Sequence, residues 1–188
     1  KINLEGLFNS FIPMPEILDG TQSPNINVEN LILEYNKETN STSMGLTEII
    51  NSNHPRFSDL AKNALKNQQA FIATGYYEWH NWSCNNWGVK WDASNCKLKE
   101  LEDFNTIIYY FDSPWVTPEH FVRELSKLYP DATFKMVSGS IENDTHYEFT
   151  CEDGKFEETC SYETFKQAVV DGKWGGWDEW SDMFEESI

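Results

Sequence analysis

Residues 105 to 140 constrain the fold more than any other part of the chain, because they read as a strand, a helix and a second strand with the helix bounded at both ends. The run NTIIYYF at 105 to 111 is β-branched and aromatic, has strand length, and stops at Asp112-Ser113-Pro114. Thr117 then supplies a capping hydroxyl, and Pro118 carries the fixed φ suited to a first helical position. Phe121, Val122, Leu125, Leu128 and Tyr129 follow as one apolar stripe, and Pro130, which cannot continue a helix, ends it. A further strand is expected from ATFKMVSGSI at 132 to 141. Beyond it Tyr147, Phe149 and Cys151 alternate toward Asp153-Gly154, a pair that favours a tight hairpin turn.

Elsewhere the signals are more local. Residues 1 to 57 are rich in Asn, Ser, Thr and Pro and read as a loop-rich region holding one or two short elements. Ser58 is expected to cap a helix carrying Leu60, Ala61, Ala64, Leu65 and Ala70, which runs to about Ala73 before Gly75 ends it. A strand is expected over 88 to 93 after the break at Gly88, and a last helix from a Ser161 cap to about Val170. Three segments follow: a loop-rich 1 to 57, a core over 58 to 160, and an acidic aromatic segment over 161 to 188. The order strand, strand, helix, strand, with a helix before it, predicts an α+β, ferredoxin-like core. Its antiparallel sheet would contain residues near 88 to 93, 105 to 111 and 132 to 140, with the 117 to 129 helix across one face.

Charge decides which partners are excluded. The 188 residues hold 31 Asp and Glu against 14 Lys and Arg, a net charge of −17, so direct binding of nucleic acid or of an anionic membrane is disfavoured. No stretch approaches the roughly 18 apolar residues that a membrane span needs. Aromatic residues are 15% of the chain, too many for a disordered acidic tail. The imbalance is uneven: residues 141 to 188 carry 14 acids and three bases, net −11, and residues 1 to 140 carry 17 and 11, net −6. In the last segment Trp174, Trp177, Trp180 and Phe184 alternate with Asp178, Glu179, Asp182, Glu185 and Glu186. Indoles there would anchor on a partner while the carboxylates meet its basic groove, although the spacing would equally let the rings pack on the protein's own sheet.

Catalytic and metal signatures are missing from the sequence. There is no GxSxG, Walker GK[ST], HExxH or strand-linked GxGxxG, and His54, His80, His120 and His146 fall in unrelated contexts. Cys84, Cys96, Cys151 and Cys160 form no CxxC pair and are expected as free thiols. His80 and Cys84, four apart with Cys96 nearby, make the one metal-like cluster, and no metal or cofactor is expected.

The densest feature is the block Asn86, Trp87, Gly88, Lys90, Trp91 and Asp92. As a strand from Gly88 it would point Val89 and Trp91 to one face and Lys90 and Asp92 to the other. It reads either as a core corner, with the indoles filling space and Lys90 pairing with Asp92, or as an exposed stacking platform built from Trp79, Trp82, Trp87 and Trp91. The core corner is the expectation.

FIPMPE at 11 to 16, NNWGVKWDAS at 85 to 94, FDSPW at 111 to 115, LSKLYPDATF at 125 to 134 and the Asp-Gly hairpin together resemble the YubB-like, or Api-like, ferredoxin-like family of phage and plasmid proteins. The resemblance spans roughly residues 8 to 160 and leaves out the tail from Ser161. It implies a bacteriophage or mobile-element protein working in the bacterial cytoplasm. It also implies a strand and helix ahead of the PMPE segment, which are either lost, replaced by another segment, or upstream of Lys1. The family supplies no catalytic residues, so the Trp block enters as its hallmark alone. With the charge pattern, the expected function is an accessory protein that binds a host protein with a basic surface and inhibits it by acidic, nucleic-acid-like mimicry. An enzyme acting on a small or nucleotide-like substrate and a virion structural component are the rivals.

Overall fold

The computed structural model describes residues 6–100, 105–140, 142–162 and 164–170. It is a mixed α+β protein with two antiparallel sheets among the described residues. The chain divides into two compact units, Lys1–Phe121 and Val122–Ile188.

The first unit is mainly helical, with α1 at Leu7–Phe11, α2 at Val28–Thr39, α3 at Leu46–Asn51, α4 at Phe57–Thr74 and α5 at Trp79–Asn86. Strands β1, Ser94–Glu100, and β2, Ile107–Asp112, pair antiparallel. The region expected as loops therefore contains a 12-residue helix. In α2 the Asn27 side chain accepts the Asn30 N–H at 2.8 Å, and Asn40, at φ 52°, closes the far end. Leu31 and Tyr35 supply its buried face, an i,i+4 pair masked by the Asn and Glu residues around it. They pack with Ile49, Phe57, Ala61 and Ala64 into one core. Ser58 is buried inside α4 and donates to the Ile50 carbonyl at 2.8 Å, so it ties two helices together instead of capping one. The fully buried Asn67 clamps the preceding loop. Its amide donates to Gln22 O at 2.7 Å and Asn25 Oδ1 at 3.1 Å, and its oxygen accepts the Gln22 N–H at 2.9 Å.

In the second unit β3, Phe134–Ser140, β4, Thr145–Glu152, and β5, Lys155–Tyr162, form a three-stranded antiparallel meander, followed by α7, Phe165–Val170. Asp153 and Gly154 make the β4–β5 turn with φ of 47° and 72°, as that residue pair demands. Helix α6, Glu119–Leu128, begins before the division between the units and ends after it. Its second part packs on the meander: Ser126 Oγ lies 3.1 Å from Cys151 Sγ and accepts the Gly154 N–H at 2.9 Å. The Arg123 guanidinium sits 5.3 Å over the Phe156 ring.

Three further expectations are corrected. The strands at 107–112 and 134–140 belong to different sheets, not to one. Residues 88–93 form no strand, because Gly88, at φ 81°, ends α5 and turns the chain, and β2 instead takes its partner from 94–100. The last helix starts later than expected: Ser161 lies in β5, and Thr164 Oγ1 caps α7 by accepting the Gln167 N–H at 3.1 Å.

Candidate functional site

The Trp block of the first unit is built on buried caps. Glu78, almost wholly buried, opens α5 by accepting the His80 N–H at 2.7 Å and the Asn81 N–H at 3.0 Å. Thr21 Oγ1 takes the Trp79 N–H at 3.0 Å. At the far end Asn86 donates its amide to Trp82 O at 2.9 Å. The Trp87 ring is 4% exposed, meets Trp82 edge-on at 5.2 Å, and donates Nε1–H to Ile12 O at 3.0 Å. A Cβ at Gly88 would stand 3.2 Å from His120 Cβ, so glycine is set here by close approach as well as by φ.

Asp92 reaches back 84 residues to cap α1. Its Oδ1 accepts the Phe8 N–H at 2.7 Å, and its Oδ2 accepts the Asn9 N–H at 3.0 Å. Oδ1 also accepts the Ala93 N–H at 2.7 Å. Phe8, fully buried, then packs tilted against Phe121 with centroids 4.4 Å apart and edge-on against Phe111 at 5.4 Å. The expected Lys90–Asp92 pair is therefore not formed: Asp92 is a cap, and the Lys90 ammonium lies over indoles.

Those indoles are the exposed part of the block. Lys90 Nζ is 4.3 Å from the Trp91 ring centroid, 5.7 Å from Trp115 and 6.0 Å from Trp79. Trp91 is 49% exposed and Trp115 74%, with their centroids 5.5 Å apart. The sequence reading thus divides: Trp82 and Trp87 are core, while Trp79, Trp91 and Trp115 face or border solvent. Trp115 was missed because it sits outside the block, although a large aromatic inside a Ser-Pro turn was a readable oddity. It occupies the centre of a three-residue turn closed by the Val116 N–H to Pro114 O at 2.8 Å, at φ 65°, a conformation uncommon for any bulky residue.

Other candidates are weaker chemically. His80 Nε2 and Cys84 Sγ are 3.7 Å apart, and no group of three or more metal-ligating residues occurs among the described residues. Burial pushes the Cys96 thiol upward, and Asp92 and Asp112 add to the rise, so little of it is thiolate. Cys84, Cys96 and Cys151 are free thiols. In the second unit, the buried His146 Nε2 lies 3.2 Å from Glu148 Oε1, and Lys135 Nζ lies 3.0 Å from Glu148 Oε2. Burial alone would raise the Glu148 carboxyl, but the bonds from Lys135 and His146 outweigh it and hold it below its ordinary range. Trp174, Trp177, Asp178, Glu179, Trp180, Asp182, Glu185 and Glu186, the expected partner-binding residues, lie outside the described residues.

Comparison of the chain with protein-family models, with curated proteins and with solved structures finds no match. Among the described residues no helix is long and apolar enough to cross a membrane.

Proposed function

We propose that this chain is a binding protein of the phage and mobile-element type, allied to the YubB-like family, that engages a host protein through that protein's basic surface. The observation that carries the reading is the charge: 31 acids against 14 bases, with the surplus concentrated after residue 140. Such a field speeds encounter with a cationic groove and repels phosphate, so the chain competes for a nucleic-acid-binding surface by resembling its ligand. Its place of action is the bacterial host cytoplasm. Binding of this kind needs only the charge and an exposed anchor.

The test is affinity capture from bacterial lysate with washes of rising salt. The expected result is a basic host protein that is retained at low salt and released as salt rises. Replacing Asp178, Glu179, Asp182, Glu185 and Glu186 by Asn or Gln should weaken the complex and flatten its salt dependence. A complex of unchanged affinity after all five substitutions would reduce the tail to a solubility feature.

A further inference from the structure

We propose that Trp79, Trp91 and Trp115 form a seat for a cation, occupied by Lys90 in the free protein, which takes an alkylammonium or guanidinium side chain of the basic partner. The inference rests on the binding reading for the source of that cation.

Three observations carry it. First, the rings already hold an ammonium, with Nζ within 4.3–6.0 Å of three indole centroids. That is the geometry by which aromatic faces attract cations. In a chain with 31 acids, no carboxylate among the described residues pairs with Lys90. Its preference for the indoles is therefore a property of the seat. Second, the Trp115 backbone is strained to hold its ring 74% exposed. Glycine would sit at that φ without cost, so the conformation is explained by what the ring does at the surface, not by the turn. Third, only the stem of Lys90 needs to move. Its carbonyl is held by the Ser83 hydroxyl at 2.8 Å, and the ammonium sits at the end of a flexible four-carbon stem whose rotation would carry it to solvent. An incoming cation would enter the field of a net −17 chain, take the Trp91 face, and leave Lys90 for the partner's own carboxylates or water.

The competition gives the proposal an unusual signature: removing a positive charge should strengthen the binding of a cation by more than its field effect. The probe is acetyl-trimethyllysine amide, titrated into isotopically labelled full-length protein while the indole N–H resonances are followed. Its neutral carbon isostere serves as control. Saturable shifts of Trp91 and Trp115 are expected with the cation and not with the isostere. Lys90→Gln should tighten the apparent Kd by about three- to tenfold. Lys62→Gln, which makes the same charge change at an exposed lysine paired with Asp59, should leave it nearly unchanged. The proposal is overturned if neither the wild type nor Lys90→Gln shows a saturable shift, if the isostere binds equally well, or if Lys62→Gln reproduces the gain. Because the probe needs no host protein and no acidic tail, its failure leaves the capture experiment untouched, and failure of capture leaves this titration untouched.

Discussion

Removing the carboxylate of Asp92 should loosen a helix that begins 85 residues earlier, and the size of the effect can be worked from its three bonds. Two of the amides it accepts, those of Phe8 and Ala93, are part-buried at 2.7 Å, and the third, of Asn9, is exposed at 3.0 Å. In Asp92→Ala the exposed amide recovers a water, while each part-buried amide forfeits about 1–1.5 kcal/mol. The capping of α1 is already contained in these bonds, so the total is about 2–3 kcal/mol. Asp92→Asn keeps one acceptor oxygen but turns an NH2 group toward an amide, and should cost about half as much. Chemical unfolding followed by far-UV circular dichroism measures the difference. Native-state hydrogen exchange should show the Phe8 and Asn9 amides losing protection selectively. The reasoning fails if the Ala variant lies within about 0.5 kcal/mol of wild type, or if Asn is the worse of the two.

Further outcomes follow from single positions. Gly88→Ala combines a φ of 81° with a Cβ 3.2 Å from His120 Cβ, and should destabilise by about 2–3 kcal/mol in thermal or chemical unfolding; a cost near zero would mean that the turn is not as described. Trp115→Gly should leave stability within about 1 kcal/mol of wild type or raise it, because relief of the positive φ offsets the lost contacts and the looser unfolded chain; a loss above about 2 kcal/mol would show the ring to be structural. Glu148, held below its ordinary range, contributes stability that is present above about pH 4.3 and is lost as pH falls through its lower folded value. Melting temperatures from about pH 7 down to about pH 3 should fall more steeply for wild type than for Glu148→Gln, and parallel curves would refute the assignment.

What was legible in the sequence was what short-range chemistry settles. Pro118 and Pro130 flank α6 because the proline ring acts within a turn, and Asp153-Gly154 makes a hairpin because its dihedral angles do. β2 is visible in its β-branched and aromatic run, whereas its partner β1 carries Lys97 and Lys99 and has no alternation to betray it. α2 was hidden by Asn and Glu residues that suit loops as well as solvent-facing helix positions. Division of the strands into two sheets, and of the indoles into buried and exposed, depends on contacts between distant segments. Phe8 and Ile12 bury Trp87 from 75 or more residues away, and no local pattern marks Trp87 as core and Trp91 as surface.

The account's central claim is that the indoles divide their labour, with Trp87 holding the first unit together and Trp91 and Trp115 proposed to meet the partner. One matched measurement tests it: the melting temperature and the affinity for the captured host protein, for Trp87→Ala beside the double variant Trp91→Ala and Trp115→Ala. Burial at 4% exposure puts the cost of Trp87→Ala at about 3–5 kcal/mol, a large share of a domain's stability. The double variant should melt within a few degrees of wild type and bind the partner at least about tenfold more weakly. A double variant that unfolds like Trp87→Ala, or one that is stable and binds undiminished, would contradict the claim.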